Sequence, residues 1–213
     1  MTDQSVIKKR QRRPEDRPAE ILAAALALFS EKGFAATRMD DVARRAGLSK
    51  GALYLYFPDK ASLLAALVQE TAGSTVAAAA LMVEVYQGPV APLIPQLLHF
   101  LADRLDHSNI ALVIKLVLAE SRAHPAIGQA WLDGVIGRAF PLIESLVARG
   151  VASGEFRAVD PAMTVRSLIA PMLLAALWKS IFEPLGATPF SATDLARHHA
   201  DLILRALHKD QTS

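Results

Sequence analysis

The sequence predicts an all-α protein in two parts, a small N-terminal helical unit and a larger C-terminal one. Three observations carry that expectation. Apolar residues recur at three- and four-residue spacing along nearly the whole chain, and no segment alternates with a period of two over β-branched residues. Alanine and leucine supply much of the 52% hydrophobic content while aromatics make up only 6%, a composition that favours helix. Glycine and proline interrupt the periodic segments at helix-length intervals.

Helix one is expected from about Pro18, a favourable first-turn residue, to Gly33, with Ile21, Leu22, Ala25, Leu28 and Phe29 on one stripe. A second helix follows, capped by Thr37 or Asp40 and burying Met39, Val42, Ala43 and Ala46. Gly47 stops it, because that position commonly takes a positive φ that glycine adopts without a Cβ penalty. Leu48 plugs the angle, and Ser49 caps a third helix that ends where Phe57 meets Pro58. Leu53 and Phe57 point inward, leaving Lys50, Gly51, Tyr54 and the neighbouring Tyr56 outside. A fourth helix starts near Asp59, carries Leu63, Leu64, Leu67 and Val68 inward and continues through an alanine-rich stretch toward Tyr86. Gly88 and Pro89 break it. Five more helices are expected at about 90–106, 109–123, 126–149, 160–182 and 193–208, which makes nine. In the eighth, opened by Asp160 and Pro161, apolar residues surround most of the circumference, so it must bury more than one face. The ninth sets Leu195, His199, Leu202, Ile203 and Ala206 on a stripe.

Two short helices joined by a glycine turn are the layout of a helix-turn-helix that reads DNA. The outward chemistry of the second helix fits that use. The ammonium of Lys50 neutralises phosphate, the phenols of Tyr54 and Tyr56 reach phosphate or base edges, and Gly51 lets the backbone approach. A plain pair of packed helices with half-wet tyrosines is the competing reading; the coincidence of turn, cap and outward chemistry in one window favours DNA.

The same residues resemble the TetR family of transcriptional regulators. The resemblance is carried by Gly33-Phe34, Ala36-Thr37, the run DDVARRAGLSKGALYLYF at 40–57 and the pair Asp59-Lys60, and it spans roughly the first quarter to third of the chain. It implies that Lys50, Gly51, Ala52, Tyr54, Leu55 and Tyr56 face DNA from the recognition helix and that Thr37 and Lys60 grip phosphate. It implies nine helices, with a DNA-binding domain up to residue 58 and an effector-binding and dimerisation domain at 59–213; ahead of residue 18, the lysines and arginines of 1–17 read as a basic, flexible arm. It also implies a homodimer, its last two helices paired with their two-fold copies, on a double-stranded, pseudo-palindromic operator. A small-molecule effector would release it.

The larger part offers His99, Phe100, Leu116, Trp131, Phe140 and Trp178 as pocket-lining residues, with Arg104 or Arg122 to orient a polar or anionic group. Each is equally readable as core or surface. The apolar, aromatic-poor composition points to a mainly apolar effector of unknown identity.

Other classes find less support. Without cysteine the chain has no disulfide scaffold, no thiol nucleophile and no Cys-based metal site, so neither metal nor cofactor is expected. The six histidines and 21 carboxylates form no HExxH, GxSxG or phosphate-binding glycine loop, so no catalytic residue is nominated and no enzyme is expected. The remaining alternatives are a helical small-molecule-binding or interaction module and a regulator that activates or depends on a corepressor. The net charge of +2 conceals an asymmetry: 12 Lys/Arg stand against 8 Asp/Glu through Lys60, and 11 against 13 beyond it. Positive charge therefore sits with the reading head, including Lys8, Lys9, Arg10, Arg12, Arg13 and Arg17 of the arm. The longest uncharged run, 85–102, contains three prolines and cannot span a membrane comfortably, so no membrane partner and a cytoplasmic location are expected.

Overall fold

The computed structural model describes residues 17–208, and the expected arm lies outside them apart from Arg17, which opens the first helix. Nine continuous helices are present among the described residues, and strand pairing is limited to a single bridge between Phe156 and His208. The chain divides into two compact units between Leu63 and Leu64.

In the first unit α1 runs Arg17–Lys32, α2 Met39–Arg45 and α3 Lys50–Tyr56. The expected stripe of α1 is buried, and Phe29 packs at a tilt against Phe34 with 5.2 Å between ring centroids. One capping expectation is corrected. The cap of α2 is Arg38, without any side-chain hydrogen bond. The Thr37 hydroxyl instead turns back to the end of α1, donating to Gly33 O at 2.8 Å and Leu28 O at 3.3 Å. The two bonds tie the loop after α1 back to the last turn of that helix. The turn after α2 has Gly47 at φ +68°, Leu48 N–H bonded to Ala43 O and Gly47 N–H to Arg44 O. Those two bonds form a Schellman motif, and the left-handed residue between them is the reason for glycine there. Ser49 caps α3 as expected, its Oγ accepting from Ala52 N–H at 3.2 Å, and Leu53 is fully buried; Phe57 is half-buried.

α4 spans Lys60–Val85. Asp59 and Ser62 form a reciprocal capping box at its start: Ser62 N–H donates to Asp59 Oδ1 at 2.7 Å and Asp59 N–H to Ser62 Oγ at 3.3 Å. The helix is α-helical over Lys60–Val68, widens to a π-turn over Gln69–Gly73 and resumes over Ser74–Val85.

In the second unit α5 spans Leu93–His107 and α6 Ile110–Glu120. α7 occupies 125–152 with a π-turn at Leu132–Ile136, α8 spans Pro161–Leu185 and α9 Ala192–Leu207. Asp160 caps α8 through Oδ1, which accepts from Ala162 N–H at 2.8 Å and Met163 N–H at 3.2 Å. By length and apolarity α4 and α8 could each cross a membrane, yet both contribute to a helical core that includes Leu97, Leu98, Leu105, Leu146, Leu168 and Met172. α9 meets that core through Ala192, Ala196, Ala200 and Leu207. The stripe expected from Leu195 to Ala206 is displaced to the flank of α9, where Leu202 and Ala206 are exposed. Small alanines let α9 pack closely on α5, and so they, not the bulkier residues, mark the inner face.

Candidate nucleic-acid interface and effector cavity

Short α3 presents a mixed outward face because a single large residue, Leu53, anchors it. Lys50, Gly51, Tyr54, Leu55 and Tyr56 are all exposed, and Leu55 stands out at 86% against 42% and 41% for the two tyrosines. A Cβ built on Gly51 meets nothing within 4 Å, so that surface is open to a close approach. Ala52 is half-buried and is engaged through its N–H at the Ser49 cap. Of the residues expected to face DNA on this helix, five are exposed and Ala52 is half-buried.

The two residues expected to grip phosphate are placed differently. Thr37 is buried and its hydroxyl is bonded within the unit, so its side chain does not reach the surface. Lys60 spans back to the loop after α1: Nζ donates to Phe34 O at 2.7 Å and Ala35 O at 3.1 Å and lies 4.7 Å from the Phe34 ring centroid. It holds that loop, a positioning role that the spacing of residues along the chain did not disclose.

Charges brace the reading unit. Lys50 Nζ stands 3.0 Å from Asp40 Oδ1, and that hydrogen bond raises the lysine pKa above its ordinary value. Arg45 donates to both carboxylate oxygens of Glu31 at 2.6 Å, which holds the Glu31 carboxyl below the usual range. Asp41 is held low as well, first by the hydrogen bond from Lys32.

The second unit contains a cavity of about 390 Å³ among α4, α5, α6, α7 and α8. Leu97, Leu101 and Leu105 line it from α5, and Trp131, Val135 and Phe140 from α7. No charged side chain lines it. Its one hydroxyl, on Thr75, donates to Thr71 O at 2.9 Å.

Of the eight residues nominated from sequence, Trp131 and Phe140 line the cavity; His99, Phe100, Arg104, Leu116, Arg122 and Trp178 do not. Helical geometry explains the difference. The cavity face of α5 repeats every four residues from Leu97, and His99 lies off it and exposed, with Phe100 also off that face. On α6 the lining residues are Ile110, Ile114, Val117 and Leu118, and Leu116 is buried elsewhere. Arg122 is exposed beyond the end of α6. Trp178 packs on Phe182 and Phe190 and donates Nε1–H to Thr188 O at 3.0 Å. The wall takes Leu97, Leu101 and Leu105 at four-residue spacing, a pattern shared with any core-facing helix stripe, so no signal in the sequence singles it out.

Comparison with known proteins bears on both units. The model described as bacterial regulatory proteins of the tetR family matches residues 21–67, and the one described as a tetracyclin repressor-like C-terminal domain matches 94–186. RutR of Escherichia coli K12, an HTH-type transcriptional regulator, is 29% identical over 170 residues, covering 72% of this chain and 70% of RutR. The transcriptional repressor KstR of Mycobacterium tuberculosis is 29% identical over 200 residues, 93% of this chain and 83% of KstR. In structure, the Bacillus subtilis regulator FadR in complex with stearoyl-CoA aligns at a TM-score of 0.73 and 19% identity, covering 89% of this chain and 99% of that one. A helix-turn-helix with an accessible reading helix, an all-helical second unit and matches to both units of one family agree, and the chain belongs to the TetR family of bacterial transcriptional regulators.

Proposed function

We propose that this regulator is a repressor that binds a pseudo-palindromic operator as a homodimer and is released when a small, uncharged, mainly apolar molecule fills the cavity. The observation that carries this reading is the cavity itself: about 390 Å³, walled by apolar side chains that include Ala72, Val76 and Ala79 of α4. α4 begins at Lys60, directly after the reading helix. Occupancy that moves α4 therefore has a covalent route to the helix that carries the proposed DNA contacts, exposed Lys50, Gly51, Tyr54, Leu55 and Tyr56 and half-buried Ala52, with Lys60 positioning the adjoining loop.

The domain assignment that goes with this reading is a DNA-binding domain at 18–58 and an effector and dimerisation domain at 59–213. Dimerisation is supported by apolar residues that α8 and α9 leave exposed, among them Met163, Leu174, Phe182 and Leu202. A helix apolar on several sides needs a second surface to cover it, and a two-fold copy supplies one while doubling the DNA footprint. The site of action is the cytoplasm, where a bacterial chromosome lies.

The test starts from selection of bound sequences out of a random duplex library. Symmetric half-sites, a dimer mass in solution and loss of operator affinity on titration with uncharged apolar compounds are expected. A single asymmetric half-site bound at full affinity would refute the dimer. Equal affinity of a cavity-bound compound for the free protein and its operator complex would refute release, because the coupling between two ligands is reciprocal.

A further inference from the structure

Two widened turns face each other beside the cavity, one in α4 over Gln69–Gly73 and one in α7 over Leu132–Ile136. A π-turn inserts one extra residue into the helical repeat. The helix faces on either side are then about 100° out of step with an unbroken α-helix. The two turns pack on each other, and one side-chain hydrogen bond joins the segments that hold them. Gln69 Nε2 donates to Ala130 O at 3.0 Å, joining the first residue of one turn to the carbonyl just ahead of the other. Glycine flanks that amide on both sides. A Cβ on Gly134 would stand 2.0 Å from Gln69 Nε2, and one on Gly73 would stand 3.1 Å from its Oε1. The first distance is impossible for a methyl group, so the Gln69 position depends on glycine at 134.

The same turns form part of the cavity wall: Ala72 belongs to the first, Val135 and Ile136 to the second, and Trp131 precedes the second directly. A molecule pressing on that wall presses on the segments that Gln69 ties together. We propose that the hydrogen bond from Gln69 to Ala130 is a latch that fixes the π-turn of α4, and that filling the cavity opens it and lets the turn move toward Lys60. The inference rests on the effector reading above and supplies its internal readout. Each residue the turn passes shifts register by one position, roughly 1.5 Å and 100°. Hydrogen bonds exchange one at a time between i+5 and i+4 partners, so the helix does not unfold.

Hydrogen exchange of the full chain, with and without the uncharged fluorophore N-phenyl-1-naphthylamine, tests the latch. In the wild type the fluorophore should speed exchange of the amides at 64–73 by about tenfold, the scale of one lost hydrogen bond. Gln69→Leu and Gly134→Ala should each produce that change without the fluorophore, which should then add little. Gln69 is exposed, so its leucine variant removes no core packing and its melting temperature should stay near wild type. Wild-type exchange rates at 64–73 in Gln69→Leu would overturn the latch. Operator affinity measured in parallel separates this inference from the one beneath it. If the fluorophore releases DNA equally well from wild type and Gln69→Leu, the latch fails and the effector reading stands. If exchange behaves as expected while operator affinity stays constant, the latch stands and ligand release fails.

Discussion

Lys50 Nζ lies 3.0 Å from Asp40 Oδ1, so the one lysine of the reading helix is already paired with a carboxylate of the helix before it. To meet a phosphate it must give up or share that partner. Asp40→Asn should therefore raise affinity for specific and unrelated DNA alike by severalfold at low salt. Lys50→Ala should lower both and flatten the log-log salt dependence by about 0.9 if one phosphate contact is lost. Fluorescence anisotropy over a salt series reads both numbers. No gain of affinity in Asp40→Asn would mean that the pair persists on DNA.

Leu53 and Tyr54 are neighbours with opposite roles. Leu53→Ala should destabilise the reading unit by roughly 2 to 5 kcal/mol, because the leucine is fully buried and its removal leaves a cavity. Tyr54→Ala should leave the melting curve near wild type and weaken operator binding. Chemical denaturation and DNA binding of the two variants, measured side by side, would expose an exchange of these roles.

Leu55 offers the reading helix an apolar tip, at 86% exposure the barest large hydrophobic among the described residues. A thymine methyl is the apolar feature of the major groove that such a tip meets. In a selected operator, replacing the responsible thymine by uracil removes only that methyl and should cost about fourfold in affinity, the worth of one buried methyl-sized group. Leu55→Ala should be indifferent to the replacement. Equal sensitivity of variant and wild type at every thymine would contradict the assignment.

Acid should loosen the reading unit in a defined window. The Glu31 and Asp41 carboxyls are held below their ordinary values, by Arg45 and by Lys32 respectively. The unfolded chain then binds these protons more readily than the folded one, so stability rises with pH through this range. The contribution is complete above about pH 5, past the ordinary carboxylate values, and is lost as pH falls through the lowered ones. Both pairs are solvent-exposed, so the effect should be small and fade with added salt. Melting curves from acid to neutral pH should show Glu31→Gln with a shallower acid limb; an unchanged limb would mean that the pair adds nothing.

The cavity should discriminate by charge. With no charged side chain in the wall, an ionised ligand group would lie buried and unpaired. Decan-1-ol should displace N-phenyl-1-naphthylamine at a concentration at least about tenfold lower than decanoate at neutral pH. Preference for the carboxylate would place a cation in the site and refute the uncharged-ligand reading.

Legibility followed chain-local chemistry. The Gly47 turn, the Ser49 cap, Leu53 and the Asp160 cap depend on residues within a few positions of each other, and each was readable in the sequence. What escaped depends on distant partners. Thr37 could have capped forward but bonds backward to Gly33 and Leu28, and Lys60 holds the loop after α1 across 25 and 26 residues. The cavity was missed for a different reason. Aromatics and arginines were nominated for their chemistry, whereas the wall is mostly leucine, isoleucine, valine and alanine, whose side chains look the same in a core and around a space. Nothing local distinguishes Leu101 facing the cavity from Leu98 facing the core; only the closed packing of five helices does.

A wall whose single hydroxyl is already engaged with Thr71 has almost no vocabulary for telling molecules apart by their hydrogen bonds. What remains is oiliness and fit. Within a series of alkyl compounds, affinity should climb by about 0.8 kcal/mol, close to fourfold, for each added methylene and then stop abruptly when the space is used up. The protein would then act less as a detector of one metabolite than as a gauge, set to a length, of how readily a solute leaves water.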